Sequence, residues 1–418
     1  MASNIRKNLT AAIFWIAVLT NIAGCIKDTS ISSSGKDNGK GICSVAGSSF
    51  ITDPGRMTDS LIGGRPRLGV NYNGQFDFVD FEDLGRTETR WVRGFIDFFQ
   101  FYDKPSLLQS DPRILNYLRL KDHGYKTILN IKWNFSQRNF PDTAGPEMRR
   151  YTAFLTTLLN RVWSETDLIV VGNEPFIESK VTNRGDSLVQ FYEKVAHDVE
   201  NFETHRKHLE RKPIFIGAFN NLYLSSWQTN SVEKLLAFAK SDPWIGGVDL
   251  HIHHNGINQL KVAMNAVKDQ IRADQKIIVT EFSLVKYFKA QLDLAIPKEF
   301  ADAYHYGEAM KNYQYIDRAL KDPVSQKEWE DFLSSSSWFE TRKHYLRNAF
   351  DLLKTYPRFA IATYAMRQSF PPGQNFTAGT MPWILNALYA NRTVRMDPGS
   401  PTPFNYAWIN DFVAIQDQ

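Results

Sequence analysis

The chain has 418 residues, of which 43% are hydrophobic and 22% charged, a composition typical of globular proteins that excludes a largely disordered one. Its formal net charge of +4 is too small to indicate a nucleic-acid-binding surface. Two cysteines exclude a disulfide scaffold and a cysteine-rich zinc or iron–sulfur site, and no cofactor motif stands out. The length is compatible with two or three domains or with one α/β barrel.

The N-terminal residues predict export from the cytoplasm. Arg6 and Lys7 precede an apolar stretch over residues 9–22, which is too short for a comfortable membrane span. Ile22-Ala23-Gly24-Cys25 follows and resembles the lipobox of bacterial lipoproteins. That resemblance implies a signal peptide over residues 1–24 and a lipid on Cys25 that anchors the protein to a membrane of the bacterial cell envelope. The alternative is an uncleaved signal anchor with a chance cysteine.

The next segment, residues 25–66, is rich in Ser, Gly, Asp and Lys and has no steady apolar period. This composition predicts a flexible tether between the anchor and a folded domain. The residue after Cys25 is Ile26 and not the aspartate that retains lipoproteins in the inner membrane. The outer membrane is therefore the expected location.

From residue 67 to 418 the sequence alternates short apolar runs with longer helical patterns. The apolar runs predict eight strands, over residues 67–72, 89–95, 126–133, 167–174, 214–218, 247–253, 276–281 and 359–364. Helical spacing of apolar residues lies between them, for example over 148–162 and 257–271. Eight strands, each followed by a helix, predict a (β/α)₈ TIM barrel, in which nearly continuous apolar strands are expected. An open doubly wound sheet is the alternative, but residues 69–74 lack the Gly-rich phosphate turn of that fold.

The connection between the seventh and eighth strands is unusually long. A helical insertion is predicted at about residues 285–340, and it is crowded with Tyr, Phe and Trp. A loop of this length at the mouth of a barrel is often a lid or a substrate wall. The other interpretation is an extra helical layer packed outside the barrel.

Two carboxylates stand at strand ends, Glu174 after the fourth strand and Glu281 at the end of the seventh. The carboxyl ends of barrel strands converge on one mouth, where catalytic groups lie. A carboxylate there is costly to bury without a role or a partner. Two of them form the pair that glycoside hydrolysis requires, one as general acid and one as nucleophile or base.

Asn173-Glu174-Pro175 on the fourth strand, together with Glu281 on the seventh, resembles clan A of the glycoside hydrolases, which are retaining (β/α)₈ enzymes. The resemblance implies that Glu174 is the acid/base, Glu281 the nucleophile, and Asn173 a ligand of the sugar 2-hydroxyl. It also implies a saccharide substrate. Arg93 resembles the clan's arginine near the nucleophile, where its charge would keep Glu281 ionised. A structural ion pair is the alternative for Arg93.

Asp249, His251 and His253 share one face of the sixth strand because strand side chains alternate. The clan commonly has a histidine on this strand and a tyrosine near it. Here His253 stands where that tyrosine is expected, so both histidines are assigned to the substrate site. A His-x-His pair also suits a metal, but no third ligand stands at a telling spacing, and we predict no metal.

Aromatic rings stack on sugars, and we expect some of those near strand ends to form binding platforms. The candidates are Trp133, Trp383, Tyr223 and Trp227, with Trp133 first. Tyr364 lies on the eighth strand, which often supplies a tryptophan in clan A, and is assigned to the substrate site. The alternative for each ring is packing in the core or at the rim.

The sequence therefore favours a retaining glycoside hydrolase that cleaves a β-linked glycan by double displacement. One alternative is a glycan-binding lipoprotein that has lost catalysis on the same barrel. Another is a metal-dependent hydrolase, which rests only on His251 and His253.

Overall fold

The computed structural model describes residues 54–206 and 210–417. The predicted signal peptide, Cys25 and most of the predicted tether lie outside these residues. Within the described ranges, no helix is both long and apolar enough to span a bilayer. Export and lipidation therefore stay predictions.

Eight parallel strands pair in chain order, and the last pairs with the first to close a barrel. The (β/α)₈ fold is thereby confirmed, and the open doubly wound sheet is wrong. The strands are β1 (Arg67–Asn71), β2 (Trp91–Asp97), β3 (Lys126–Lys132), β4 (Leu168–Val171), β5 (Ile214–Asn220), β6 (Ile245–His253), β7 (Lys276–Ser283) and β8 (Phe359–Ala365).

Helices surround the barrel and fill the longer connections between strands. In chain order they are α1 (Pro54–Ile62), α2 (Phe81–Arg86), α3 (Phe98–Tyr102), α4 (Leu107–Ser110), α5 (Pro112–Asp122), α6 (Pro146–Val162), α7 (Asp186–Thr204), α8 (Asn230–Ser241), α9 (Ile257–Val267), α10 (Val285–Lys289), α11 (Lys298–Ala303), α12 (Asn312–Lys321), α13 (Gln326–Ser335), α14 (Ser337–Glu340), α15 (Tyr345–Lys354) and α16 (Tyr406–Gln416).

Helix α5 illustrates how local sequence sets an element's bounds. The Asp111 carboxylate accepts the backbone N–H of Arg113, and Pro112 occupies the first turn, where its missing N–H costs nothing. Gly124 follows the helix with φ +81°, a left-handed conformation that glycine adopts without a steric penalty. The chain then turns directly into β3.

Alternation along the strands separates the interior of the barrel from its helix-facing layer. On β3, Ile128 belongs to the interior cluster, whereas Leu129 and Ile131 pack in the larger cluster shared with the helices. The same two-residue period holds on β4, where Leu168 and Val170 face inward. The core is thus two concentric apolar layers with the strands between them.

Helix α1 lies in the segment predicted to be a flexible tether, so the folded part begins before residue 67. Ile62 is 4% exposed and packs into the interior cluster, and Asp59 forms an ion pair of 2.7 Å with Lys276 at the start of β7. The sequence of this helix has three apolar side chains suited to a core, Met57, Leu61 and Ile62, too few to predict a helix from their period. Burial against the barrel, not helix propensity, orders this helix.

The connection between β7 and β8 contains helices α10 to α15. Its aromatic side chains pack on one another: Tyr315, Trp329 and Phe332 are 0% exposed, and the Tyr315 and Phe332 ring centroids are 4.3 Å apart. The Trp329 indole N–H donates to Asn405 Oδ1 at 2.7 Å, just before α16. These contacts favour the helical-layer interpretation for the aromatic residues of this segment.

Candidate active site

A cavity of about 240 Å³ opens at the carboxyl ends of the strands. The residues that line it come from seven of the eight strand ends and from the loop after β8: Asn71, Asn73, Phe95, Lys132, Asn173, Glu174, His253, Glu281, Phe282, Ser283, Thr363, Ala365, Gln368, Trp383 and Asn386. None of these belongs to residues 285–340. Both predicted catalytic carboxylates therefore share one cavity, and the predicted insertion supplies none of the wall residues.

Glu174 is aimed by two unusual backbone conformations in succession. Gly172 has φ +126°, and a Cβ there would lie 2.1 Å from the Gly217 carbonyl oxygen. Glu174 itself has φ +51°, a left-handed conformation that costs a non-glycine residue about 1–3 kcal/mol. The surrounding packing stabilises this turn. The turn directs the Glu174 carboxylate away from the strand and into the cavity.

Replacing Gly172 by alanine should destabilise the fold by more than about 1 kcal/mol, because the new methyl group meets backbone atoms in a conformation that alanine disfavours. Thermal unfolding would show a melting temperature lower by about 1 °C or more. Gly85→Ala is the matched control, since a Cβ at this position in α2 has open space within 4 Å. A melting temperature unchanged in Gly172→Ala would contradict the geometry described for this turn.

Glu281 reaches the cavity because β7 carries a bulge. Asp249 pairs with Ile278 and His251 pairs with Glu281, so β7 advances three residues where β6 advances two. Without the extra residue, strict alternation from Ile277 and Val279 would turn Glu281 outward toward the helices. The bulge re-aims the side chain into the mouth, a common use of bulges beside active sites.

Arg93 lies between the two carboxylate-bearing strands and is 0% exposed. Its guanidinium donates to four side-chain oxygens and lies close to a ring nitrogen of His251. The contacts are Nε to Asn130 Oδ1 at 2.9 Å, Nη1 to Asn71 Oδ1 at 3.0 Å and Glu281 Oε1 at 2.6 Å, and Nη2 to Asn173 Oδ1 at 2.6 Å and His251 Nε2 at 3.2 Å. The arginine thus binds four side chains at the centre of the site and is more than a peripheral ion pair.

The surroundings of Glu281 favour its ionised form. Burial raises the pKa of this carboxyl, but the charges of His251 and Arg93 outweigh burial and hold the pKa well below its usual range. Nε2 of His253 lies 3.5 Å from the second carboxylate oxygen. Glu281 is therefore a carboxylate throughout the neutral and mildly acidic range, as a nucleophile must be.

Glu174 has different partners. Asn220 Nδ2 donates to its Oε1 at 2.6 Å, and His251 Nδ1 lies 3.1 Å from the same oxygen. Burial raises the pKa of the Glu174 carboxyl, but the hydrogen bond from His251 lowers that pKa by more than burial raises it. The pKa of Glu174 therefore lies below its usual range. Burial lowers the pKa of His251, while Glu281 and Glu174 raise it more, so this histidine binds a proton readily. Each partner of the Glu174–His251 pair thus favours the charged form of the other.

A buried chain supports His251 from behind. Its Nε2 lies 3.0 Å from Thr280 Oγ1, whose hydroxyl donates to Asp249 Oδ2 at 2.6 Å. Asn130 Nδ2 donates to the same Asp249 oxygen at 3.0 Å, and burial raises the pKa of Asp249. These bonds fix the imidazole plane, so that its Nδ1 points at Glu174.

His253 and Trp383 form one wall of the cavity. Their ring centroids are 4.8 Å apart at 78°, and His253 Nδ1 lies 2.8 Å from Ser283 Oγ. The Tyr223 hydroxyl donates to the backbone carbonyl of His253 at 2.8 Å, outside the cavity wall. The structure thus places His253 and Trp383, but not Tyr223, where a bound molecule would touch them.

Four side chains around the cavity could hold a metal ion. Glu174, His251, His253 and Glu281 each offer one ligand atom, and these atoms lie within 4.8 Å of one another. However, Arg93 bonds Glu281 at 2.6 Å and approaches His251 at 3.2 Å, so a cation here would sit beside a permanent positive charge. The donor set therefore suits proton and covalent chemistry better than a divalent ion.

Four residues that were predicted to bind substrate do not line the cavity: Arg93 and His251, which are buried behind the two carboxylates, and Trp133 and Tyr364. Trp133 is 0% exposed and packs on Phe98, with ring centroids 3.9 Å apart, and Tyr364 is 0% exposed between Phe282 and Trp408. Both have the parity of helix-facing residues: Trp133 continues the row of Leu129 and Ile131. Attention to strand parity would have excluded them, since Thr363 and Ala365, not Tyr364, line the cavity.

The two tryptophans should therefore respond differently to truncation. Trp133→Ala should lower the free energy of unfolding by about 3–5 kcal/mol, because it empties a packed aromatic cluster. Trp383→Ala should leave thermal stability almost unchanged and weaken ligand binding by about tenfold, through loss of a ring contact. Denaturant unfolding and ligand titration of both variants would check this. A binding defect in Trp133→Ala with normal stability would reverse the assignment.

Sequence reasoning missed several polar residues of the site. Asn71, Asn130 and Asn220 come from the ends of β1, β3 and β5, and their amides orient Arg93 and Glu174. Lys132 and Glu178 form a largely buried ion pair of 2.6 Å beside Asn173. The available signal was an asparagine at the end of an apolar strand, which recurs on several strands of this chain.

No protein-family model matches the chain, and no curated protein matches it. Among solved structures, the chain is similar to the GH53 catalytic domain of Ignisphaera aggregans, with 14% identity, a TM-score of 0.45, and coverage of 84% of this chain and 98% of that one. A beta-glucosidase from Exiguobacterium marinum has 10% identity and a TM-score of 0.46 over 84% and 97% of the two chains. A family 39 glycoside hydrolase from Bacteroides cellulosilyticus has 11% identity and a TM-score of 0.45 over 84% and 63%.

Proposed function

We propose that this protein is a retaining glycoside hydrolase that cleaves a β-linked glycan. The observation that carries the proposal is the pair Glu174 and Glu281, whose nearest oxygens lie within 4.8 Å across one cavity. Retaining glycosidases hold their two carboxyl groups about 5–5.5 Å apart, whereas inverting ones need roughly 6.5–9.5 Å to admit a water molecule. The nearest-oxygen distance is compatible with the separation of the retaining class, and the proposed mechanism is therefore direct attack by one carboxylate.

In the first step, ionised Glu281 attacks the anomeric carbon as the bond to the leaving oxygen breaks. Glu174 gives that oxygen a proton, so the leaving group departs neutral and an ester forms between the sugar and Glu281. In the second step, Glu174 takes a proton from water, and the water oxygen replaces Glu281 at the anomeric carbon. The sugar is released with its original anomeric configuration, and both carboxyl groups return to their initial states.

His251 has a defined part in this cycle. Its Nδ1 lies 3.1 Å from Glu174, and its pKa is raised by the two carboxylates. Substrate that covers the cavity adds desolvation, which favours the neutral carboxyl of Glu174. Proton transfer from His251 to Glu174 would then load the general acid at the moment it is needed.

The cavity wall suits a polyhydroxylated ligand. Asn73 and Gln368 line it with side-chain amides, and Trp383 supplies an aromatic surface. Amides donate and accept hydrogen bonds as sugar hydroxyls require, while a ring packs on the apolar face of a pyranose or furanose. These features support a saccharide as the ligand, and hydrolysis assays on different glycosides would identify it.

The test is hydrolysis of 4-nitrophenyl α- and β-glycosides and of plant, fungal and host glycans by residues 26–418, with Glu281→Gln in parallel. We expect cleavage of at least one β-glycoside, NMR detection of the retained anomer as first product, and no loss of rate in a chelator. An inverted first product would contradict the retaining mechanism. Loss of activity in the chelator, restored by a divalent ion, would favour the metal-dependent alternative at the same four residues. Binding without cleavage would favour the glycan-binding alternative.

We also propose that residues 1–24 direct export and that Cys25 carries the lipid anchor, on the resemblance of the N-terminal sequence to a lipoprotein signal. Mass spectrometry of the mature protein from a bacterial host should find a diacylglyceryl group on Cys25. Cys25→Ser should release the protein from the membrane fraction. A soluble wild-type protein with an unmodified Cys25 would contradict this.

A further inference from the structure

Asn173 is held at both ends of its amide. It is 2% exposed, its Oδ1 accepts from Arg93 Nη2 at 2.6 Å, and its Nδ2 donates to Glu178 Oε1 at 2.9 Å. One partner is a cation that only donates, and the other is a carboxylate that only accepts when ionised. If the amide were flipped, its NH2 group would face the Arg93 donor and its oxygen would face the Glu178 acceptor. The two charged partners therefore allow only one orientation of the Asn173 amide.

Glu178 is a buried carboxylate that lies five residues after Asn173 on the loop that follows β4. Its side chain is 6% exposed, and Oε1 also accepts from Lys132 Nζ at 2.6 Å. Burial raises the pKa of Glu178 to about 7, although Lys132 lowers it. Lys132 thus opposes the effect of burial and favours the ionised form of Glu178, which accepts both hydrogen bonds.

The contacts around Asn173 extend to Glu281, one of the two proposed catalytic carboxylates. Lys132, Glu178, Asn173, Arg93 and Glu281 form a row of direct contacts in which charge alternates around one neutral amide. Asn173 also lines the cavity. Its Nδ2 carries two hydrogens, and Glu178 takes only one of them.

We propose that Glu178 is a positioning residue that fixes the Asn173 amide so that its second N–H faces the sugar 2-hydroxyl. This inference rests on the proposed glycosidase function and adds a residue to it. Hydrogen bonds at the 2-hydroxyl strengthen in the transition state of glycoside cleavage, so the orientation of this amide bears on rate more than on binding. Glu178 itself does not touch the substrate.

The experiment compares kcat/KM for the best 4-nitrophenyl glycoside of the panel with kcat/KM for its 2-deoxy analogue. Wild type should prefer the 2-hydroxy substrate. Glu178→Met removes both acceptor oxygens, and we expect this preference to fall by about tenfold, the size of one hydrogen bond to a charged group. Glu178→Gln keeps a carbonyl oxygen for Asn173 and Lys132, and its preference should stay within about threefold of wild type.

A matched control separates positioning from stability. Glu203, at the end of α7, is 3% exposed and has a pKa raised to about 7 by burial, but it bonds the Lys212 backbone N–H at the opposite end of the barrel. Glu203→Met should cost stability and leave the 2-hydroxy preference intact. An unchanged preference in Glu178→Met, in an otherwise active enzyme, would overturn the inference and leave the proposed function standing. A wild type that cleaves no glycoside would overturn both.

Discussion

Replacing Glu281 by glutamine should lower kcat/KM for the best substrate by roughly 10⁵-fold or more. Enzymes that lose a covalent nucleophile show decreases in rate of this size. Glutamine has nearly the same shape, and its carbonyl oxygen still accepts the hydrogen bond that Arg93 makes at 2.6 Å. The amide cannot attack the anomeric carbon to form a stable ester. Steady-state and single-turnover kinetics would both show the loss.

Two controls make this result specific. Glu203→Gln changes a buried glutamate far from the cavity and should retain wild-type activity. Glu281→Gly with added azide should recover part of the rate, because azide fills the vacated space and attacks the same carbon. The azide product should have the anomeric configuration opposite to the substrate. Residual activity of Glu281→Gln within tenfold of wild type would remove Glu281 as the nucleophile.

Replacing Arg93 by methionine should have the second-largest effect, on both stability and pH dependence. Four side-chain oxygens lose their donor, and Glu281 becomes a buried charge with weaker compensation. Breaking a buried ion pair by removing one partner costs about 3–5 kcal/mol. Thermal unfolding should therefore show a melting temperature lower by about 4–6 °C for a domain of this size.

The pH effect of Arg93→Met has a definite sign. In the wild type, the pKa of Glu281 is lower in the folded state than its value of about 4.3 in an unfolded chain. Its ionisation therefore stabilises the fold above that pH, and the contribution is lost as pH falls toward the folded pKa. Without Arg93 the pKa of Glu281 rises, so this contribution shrinks and the acid limb of the kcat/KM profile should move to higher pH.

Arg272→Met is the matched control for Arg93→Met. Arg272 also bonds several oxygens, including the backbone carbonyls of Asp242 and Ile245, but it lies at the amino ends of β6 and β7. It should lower stability and leave the pH profile unchanged. Arg93→Lys keeps the charge but replaces five donors by three, and it should fall between wild type and Arg93→Met. An acid limb that stays in place in Arg93→Met would contradict the role of Arg93 in ionising Glu281.

The strands and the carboxylate pair could be predicted because their signals are local. Each buried parallel strand is an apolar run, and Glu174 and Glu281 interrupt two of these runs at their ends. Arg93 was also expected near the nucleophile, and the structure brings it within 2.6 Å of Glu281. What the sequence could not convey is the number of partners that a single arginine binds, since these come from five different strands.

The rest depends on register and on distant packing. The bulge in β7 turns Glu281 inward, against the alternation read from Ile277 and Val279, and no residue in the run marks it. Conversely, alternation was a usable signal for Trp133, which strand parity places among the helices. Asn220 and Glu178 become part of the site only when β5 and the loop after β4 close on the same cavity.

Helix α1 lies at the end of the barrel that is opposite to the cavity. It packs where β6 and β7 begin, so the chain enters at the amino ends of the strands, and the cavity opens at their carboxyl ends. Strands β6 and β7, of nine and eight residues, separate these two faces by roughly 25 Å. A ligand therefore enters the barrel from the end that is opposite to α1, and substitutions on the exposed side of α1 should leave ligand entry unchanged.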